Sequence, residues 1–190
     1  MTIGFKSVTM DQIANAMGIS KKTIYNFFQN KTELVKSVAN YMFKSISEGV
    51  TEIKKSSEDP ISEIYEINLF LIKYLKNESV SPLYQLEKYY PVIHKDINKK
   101  QFDFITKTNS KSLENGIKLD LFRKDIEIDF ISRLYFKGII GIRDLDTFPS
   151  KLYDPVSLKN DFIEYHLRAI VTEKGLKKLN HFIKKNKWKK

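Results

Sequence analysis

The chain has 190 residues, of which 42% are hydrophobic, 29% charged and 13% aromatic. That is one domain, or a small module fused to a larger one, with enough apolar content for a core; a complex multidomain enzyme and global disorder are excluded. Cysteine is absent, which excludes a disulfide framework, thiolate catalysis and cysteine-ligated zinc, and the net charge of +10 invites a polyanionic partner.

In chain order, the N-terminus (MTIGFKSVTM) has no long apolar segment of the signal-peptide kind. No run of about 18 apolar residues follows, so a cytoplasmic protein without a spanning helix is expected. Residues 1–55 carry eight lysines against four acids, +4. Only seven glycines and five prolines punctuate the chain. Between them apolar residues recur at three- and four-residue spacing, which predicts an all-α fold. Thr9 and Gln12 have capping-box spacing ahead of a short helix whose apolar face is Ile13, Ala14 and Met17, ended by Gly18. Ser20 caps a second short helix through Phe28. Asn30, with Glu33 three residues on, caps a third that starts at Lys31 and runs past Phe43. Beyond it, Asp59-Pro60, Ser81-Pro82 and Asp154-Pro155 each pair a capping residue with proline at a first helical position. Pro91 begins another helix ending near Gly116, and Asp125 precedes the apolar run 126–142. Six or seven helices are expected in the body. Residues 144–153 read as a loop, and Gly175 as an interruption of the last long helix. Residues 56–176 carry a charge of −1, whereas 177–190 hold seven lysines and no acid.

The segment from Thr9 to Phe28 carries the chemistry. Ile13, Ala14, Met17, Ile19, Ile24 and Phe28 would make the shared core of two crossed helices, with small Ala14 at the approach and Gly18 at the turn. Lys21, Lys22, Thr23, Tyr25 and Asn26 are left outside on the second helix, and these groups reach phosphates and base edges. The same pattern also fits a plain helical hairpin with a solvated polar face. The string T-x-x-x-I-A-x-x-x-G-I-S-K-x-T-I-Y-x-x-F-x-x-K-x-E-L from Thr9 to Leu34 resembles the helix-turn-helix of TetR-family transcriptional regulators. The resemblance covers about 35 residues from Gly4 onward.

The resemblance implies a helix-turn-helix DNA-binding head at 1–55 and an all-helical ligand-binding and dimerisation domain at 56–190. The partners it implies are double-stranded operator DNA, a small effector and a second copy of the chain, with no stable membrane association and no cofactor. Carried over by position, Thr9, Tyr25 and Lys31 would contact phosphates, while Lys21, Lys22, Thr23 and Asn26 would face the groove. Asn26 is the best base reader, since its amide can pair bidentately with adenine. Lys22 stands where the family commonly has a small residue, and Phe27, where a histidine or tyrosine is usual, cannot hydrogen-bond. Family members also begin with an amphipathic first helix ending in a Gly-Phe or Gly-Tyr turn, here Gly4-Phe5, and that helix is missing ahead of it. Three readings stand open: a start assigned late at an internal methionine, a trimmed segment, or a truncation that impairs DNA binding. The last keeps alive a dimeric small-molecule-binding protein without DNA binding.

In the body, Ile61, Ile64, Tyr65, Asn68, Leu71, Ile72 and Leu75 follow one helical face, and Ile67, Phe70 and Tyr74 a second. In the family such a helix lines the effector cavity; Tyr65, Phe70, Tyr74, Tyr84, Tyr89, Phe102 and Phe104 would give it an aromatic wall. An apolar or aromatic effector is expected, although the same residues would serve as plain core. The last two long helices, 126–142 and 155–171, would form the family's dimer interface through Phe130, Leu134, Ile163, Leu167 and Ile170, with Gly138 and Gly141 allowing close approach. His94, His166 and His181 share no motif spacing, and no phosphate loop, G-x-S-x-G or H-E-x-x-H occurs, so neither an enzyme nor a metal site is expected. The tail has Leu176, Leu179, Phe182 and Ile183 on one face, lysines elsewhere and Trp188 near its end. It reads as a stripe docked on the body, or as an amphipathic membrane-surface helix.

Overall fold

The computed structural model describes residues 5–75 and 82–185. Gly4, Ser81, Trp188 and the lysines after Lys185 lie outside the described residues. Nine helices form the described secondary structure, together with one isolated antiparallel bridge between Phe122 and Val171. The chain divides into two compact units, one made of residues 1–48 and 75–101, the other of 49–74 and 102–190. The first unit therefore omits residues 49–55 of the segment expected as the head, and takes in 75–101.

In the first unit, α1 (Met10–Met17) and α2 (Lys21–Tyr25) precede the long α3 (Lys31–Ser56). The capping box at Thr9 is formed: its hydroxyl oxygen accepts from Gln12 N at 3.1 Å and the Gln12 side chain accepts from Thr9 N at 2.8 Å. Gly18 ends α1 at φ 65°, a left-handed backbone that a Cβ would strain. Met10, Ala14 and Ile24 are buried at the crossing of α1 and α2, with Ile13, Ile19, Phe28 and Leu34 packed against them. Met17 is not in that core; it is 64% exposed, because it is the last residue of α1 and the chain turns away after it. Met10, one turn before Ala14, takes the buried place instead. α2 is shorter than expected: its C-cap is Asn26, and Phe27 and Phe28 continue as a turn bonded back to Ile24. A second core in this unit joins Val35 and Ala39 of α3 to Leu86 of α5 (Pro82–Tyr89) and to Ile93 and Ile97 of α6 (Pro91–Lys118). Phe5 packs on it and donates its N–H to the Gln85 side chain, while the Lys6 ammonium stands 4.9 Å over the Tyr89 ring.

In the second unit, α4 (Pro60–Leu75) is buried at Ile61, Ile64, Tyr65 and Asn68. Around it lie α7 (Ile128–Gly141), α8 (Pro155–Ile170) and α9 (Glu173–Lys185), and the shared core includes Leu113, Phe122, Ile163, Leu167, Ile170 and Leu179. Burying a side chain such as Leu179 contributes about 1.5–3 kcal/mol. Buried Asp59 caps α4, accepting from Ile61 N at 2.9 Å and from the Ser62 hydroxyl at 2.7 Å, and pairs with Lys178 of α9 at 2.9 Å. Burial alone pushes its carboxyl up, but the bonds from Lys178, Ser62 and Ile61 together bring it below the ordinary carboxylate value. Lys54, Glu63, Ser112 and the Thr108 carbonyl form a second bonded group across α3, α4 and α6.

The last helical stretch does not break at Gly175. α8 ends at Ile170, Val171 is extended, and the Thr172 hydroxyl accepts from Gly175 N at 3.0 Å at the start of α9. Gly175 is inside α9 for another reason. A Cβ there would stand 2.1 Å from the Leu121 carbonyl oxygen, so glycine is what lets α9 approach that backbone. The stripe on α9 docks within this unit: Leu179 is fully buried, and Phe182 and Ile183 pack on the same core.

Candidate nucleic-acid interface

Three capped turns hold the candidate surface. The Ser20 hydroxyl oxygen accepts from Thr23 N at 3.0 Å and lies 2.8 Å from the Thr23 hydroxyl, so the start of α2 is fixed through its side chains. Asn30 accepts from Glu33 N at 3.0 Å, and the Glu33 carboxylate accepts from Gln29 N at 2.8 Å, which fixes the turn into α3. With Ile24 anchored inward, Lys21, Lys22, Tyr25 and Asn26 all stand exposed on α2, and Thr23 is half-buried. Lys21 pairs with exposed Asp11 of α1 at 2.8 Å, a bond and charge that raise the Lys21 pKa and keep the ammonium charged. An exposed pair of this kind is weak because solvent screens it, so a phosphate can displace it.

Thr9 is exposed; its oxygen serves the cap, which leaves the hydroxyl proton to donate outward. The Lys31 ammonium donates to the Lys6 carbonyl at 3.0 Å with two protons remaining. Phe27 is 76% exposed beside this group and packs in no core. The head therefore presents Thr9, Lys21, Lys22, Tyr25 and Asn26 to solvent, with Thr23 and Lys31 half-buried at its edges. Asp11 and Lys6, which hold Lys21 and Lys31, were not singled out from sequence. The signal was available only for Asp11, an exposed acid at the first turn of α1.

The family of bacterial regulatory proteins, tetR family, matches residues 2–38, the stretch holding α1, α2, both turns and the opening of α3. Over those residues the chain is similar to the DNA-binding segment of TetR-family regulators. A further match is to an uncharacterized HTH-type transcriptional regulator, YhgD, of Bacillus subtilis (strain 168), 35% identical over 54 residues. That match spans 28% of each chain, little more than a quarter of the relative's length. The fold is similar over nearly the whole chain to solved structures. One is reduced E. coli NemR, with a TM-score of 0.70, 14% identity and 90% and 89% of the two chains covered. Another is a TetR-family regulator from Agrobacterium tumefaciens, with a TM-score of 0.67, 15% identity and 89% and 90% covered. A third is SmeT, the repressor of the Stenotrophomonas maltophilia efflux pump SmeDEF, with a TM-score of 0.68, 13% identity and 89% and 83% covered. The family match rests on the sequence of the head, and the likeness over the rest of the chain is one of fold.

The seven residues expected for an effector wall are spread over the chain. Tyr84 and Tyr89 are exposed on α5 in the first unit, with Lys88 over both rings. In the second unit, Tyr65 is core, stacked on Phe182 with ring centroids 4.7 Å apart. Phe70 packs against Gly49 and Tyr74, and Phe102 meets Phe136 edge-on at 5.2 Å under Arg133. Phe104 is half-buried on α6.

The five residues expected at a dimer interface separate into two sets. Phe130 and Leu134 are 60% and 51% exposed on α7. Ile163, Leu167 and Ile170 are consumed by the core of their own chain and have no surface left for a partner. The face that α8 does expose carries Tyr165, 74% exposed. Gly138 packs within the chain, under the Phe162 ring, while a Cβ at Gly141 would meet nothing within 4 Å. Among the described residues no helix is long and apolar enough to cross a membrane.

Proposed function

We propose that this protein is a cytoplasmic DNA-binding transcriptional regulator, a repressor that holds a palindromic operator as a homodimer and releases it when a small effector binds the body. The observation that carries the proposal is the solvent-facing row Lys21, Lys22, Tyr25 and Asn26 on a helix held by Ser20, Gly18 and Ile24, inside the segment that matches the family. Residues 1–55 form the DNA-binding part of this reading and 56–190 the effector and dimer part. Thr9, Tyr25 and Lys31 contact phosphates and set register, while Lys21, Lys22, Thr23 and Asn26 reach base edges. Two-fold symmetry places two heads in grooves about 34 Å apart, or a multiple of that. The exposed apolar groups Phe130 and Leu134 of α7, with Tyr165 of α8, are the dimer surface of the proposal. Effector binding favours a state whose heads no longer fit the half-sites, and the coupling is the difference in effector affinity between the two states.

A gel shift with the promoter fragment of the protein's own gene tests the reading. Retardation at low salt that competitor DNA of random sequence does not abolish is the expected result. Failure to retard any fragment at low salt overturns it and leaves a dimeric ligand-binding protein.

A further inference from the structure

Two of the groups proposed to meet phosphates flank one short turn. Residues 5–7 form the turn, Thr9 follows it as the cap of α1, and the Lys31 ammonium of α3 donates to the Lys6 carbonyl at 3.0 Å. Lys31 is half-buried on a flexible four-carbon stem, and among the described residues it pairs with no carboxylate. The carbonyl is the group that holds it, so where that carbonyl stands decides where the ammonium stands.

α5 fixes the turn from the other side. Gln85 and Tyr89 are four residues apart on one face of α5, and they take two successive residues of the turn. The Gln85 side-chain oxygen accepts from Phe5 N, and the Lys6 ammonium rests 4.9 Å over the Tyr89 ring. On the same helix Leu86 is buried with Val35 and Ala39 of α3 and with Ile93 and Ile97 of α6, and the Phe5 ring packs on that core. All of these residues belong to the first unit, yet Gln85 and Tyr89 lie well beyond residues 2–38, the stretch that matches the family. Gln85 is half-buried and uncharged, with its oxygen committed to Phe5, so it acts on a phosphate through the turn and without a charge of its own.

We propose that Gln85, together with Tyr89, is a positioning residue for DNA binding: by holding the Phe5–Lys6 backbone it fixes the carbonyl on which the Lys31 ammonium rests and sets that ammonium for a phosphate. Freedom that Lys31 would lose on binding is then lost beforehand, which raises affinity with no added contact to DNA. The gain falls on a phosphate and not on a base edge, so it is the same for every sequence. α5 thereby joins the DNA-binding part, outside residues 1–55. The inference rests on the DNA-binding reading given above.

The test is a double-mutant cycle on the full-length protein: wild type, Gln85→Met, Lys31→Ala and the two together, titrated at several salt concentrations with the promoter fragment of its own gene and with a random duplex of equal length. Gln85→Met keeps the bulk of the side chain and removes the acceptor. It should weaken binding to both duplexes alike, by about two- to fivefold at low salt, and flatten the salt slope in the same sense as Lys31→Ala. Added to Lys31→Ala it should bring no further loss, because the ammonium it positions is gone. A general weakening of the head would instead make the two losses add. Circular dichroism checks that each variant is folded, and Tyr89→Ala, which leaves the Gln85 bond in place, enters the same cycle if Gln85→Met is not. Additive losses, or wild-type affinity and salt slope in the α5 variant, overturn the proposal. Wild type that prefers the promoter while the losses add refutes the positioning role alone, whereas wild type that binds no duplex at low salt refutes the DNA-binding reading and this inference with it.

Discussion

Gly175 and Gly141 offer one substitution with two opposite outcomes. Glycine to alanine inside a helix normally stabilises by up to about 1 kcal/mol. At Gly175 the new methyl would stand 2.1 Å from the Leu121 carbonyl oxygen and 3.1 Å from Val171 Cβ. That carbonyl cannot swing aside freely, because it accepts from Thr172 N at 3.0 Å and from the Thr172 hydroxyl at 3.3 Å. Overpacking of this kind costs about 1–3 kcal/mol, from which the helix-propensity gain must be subtracted. The net loss should be roughly 1–2 kcal/mol, or about 2–8 °C in the melting midpoint of a chain this size. At Gly141, the exposed last residue of α7, nothing stands within 4 Å of the methyl. Gly141→Ala should therefore leave the midpoint unchanged or raise it by roughly 1–4 °C. Thermal unfolding followed by far-ultraviolet circular dichroism measures both. A stabilising Gly175→Ala would refute the account of how α9 packs, and so would equal shifts of one sign in the two variants.

His166 should make stability depend on acidity: the unfolded chain takes up its proton near pH 6.5 and the folded chain only near 4, so stability is lost as pH falls between those values, by about 3 kcal/mol in all. Denaturant titrations of wild type and His166→Leu across that window should differ in slope, and parallel curves would refute the assignment. Asp59→Ala removes the cap of α4 and the partner of half-exposed Lys178, which should cost about 1–2 kcal/mol and raise proteolytic sensitivity at α9; urea unfolding and limited proteolysis check it. In DNA titrations at several salt concentrations, Lys31→Ala should weaken binding to all sequences and flatten the salt slope by about one unit, while Asn26→Ala should relax preference at one base position. Equal losses on operator and random DNA in both variants would remove Asn26 as a base reader.

The head was the most legible part of the molecule because its signals are local. Thr9 with Gln12, Ser20, Gly18 and Asn30 each fix a turn through bonds spanning three or four residues. Periodicity was less informative about which neighbour covers a face. Ile163, Leu167 and Ile170 repeat at helical spacing, but the spacing does not distinguish a core within the chain from a surface between two copies; their own chain buries them. Met17 stands outside its expected core for a similar reason: the apolar face of α1 is legible in the sequence, but not where the turn at Gly18 carries the chain. The role of Gly175 depends on Leu121, more than fifty residues away in sequence, and no local signal marks that approach.

In the proposed regulator, α2 reads DNA sequence from its exposed row. Fluorescence anisotropy with a labelled promoter fragment and a random fragment of equal length tests it most directly, using wild type and a variant carrying Lys22→Ala with Asn26→Ala. Wild type should prefer the promoter fragment, with affinity falling linearly in log salt, and the variant should bind both fragments alike at the level wild type shows for random DNA. Equal affinity of wild type for the two fragments, or an unchanged preference in the variant, would contradict it.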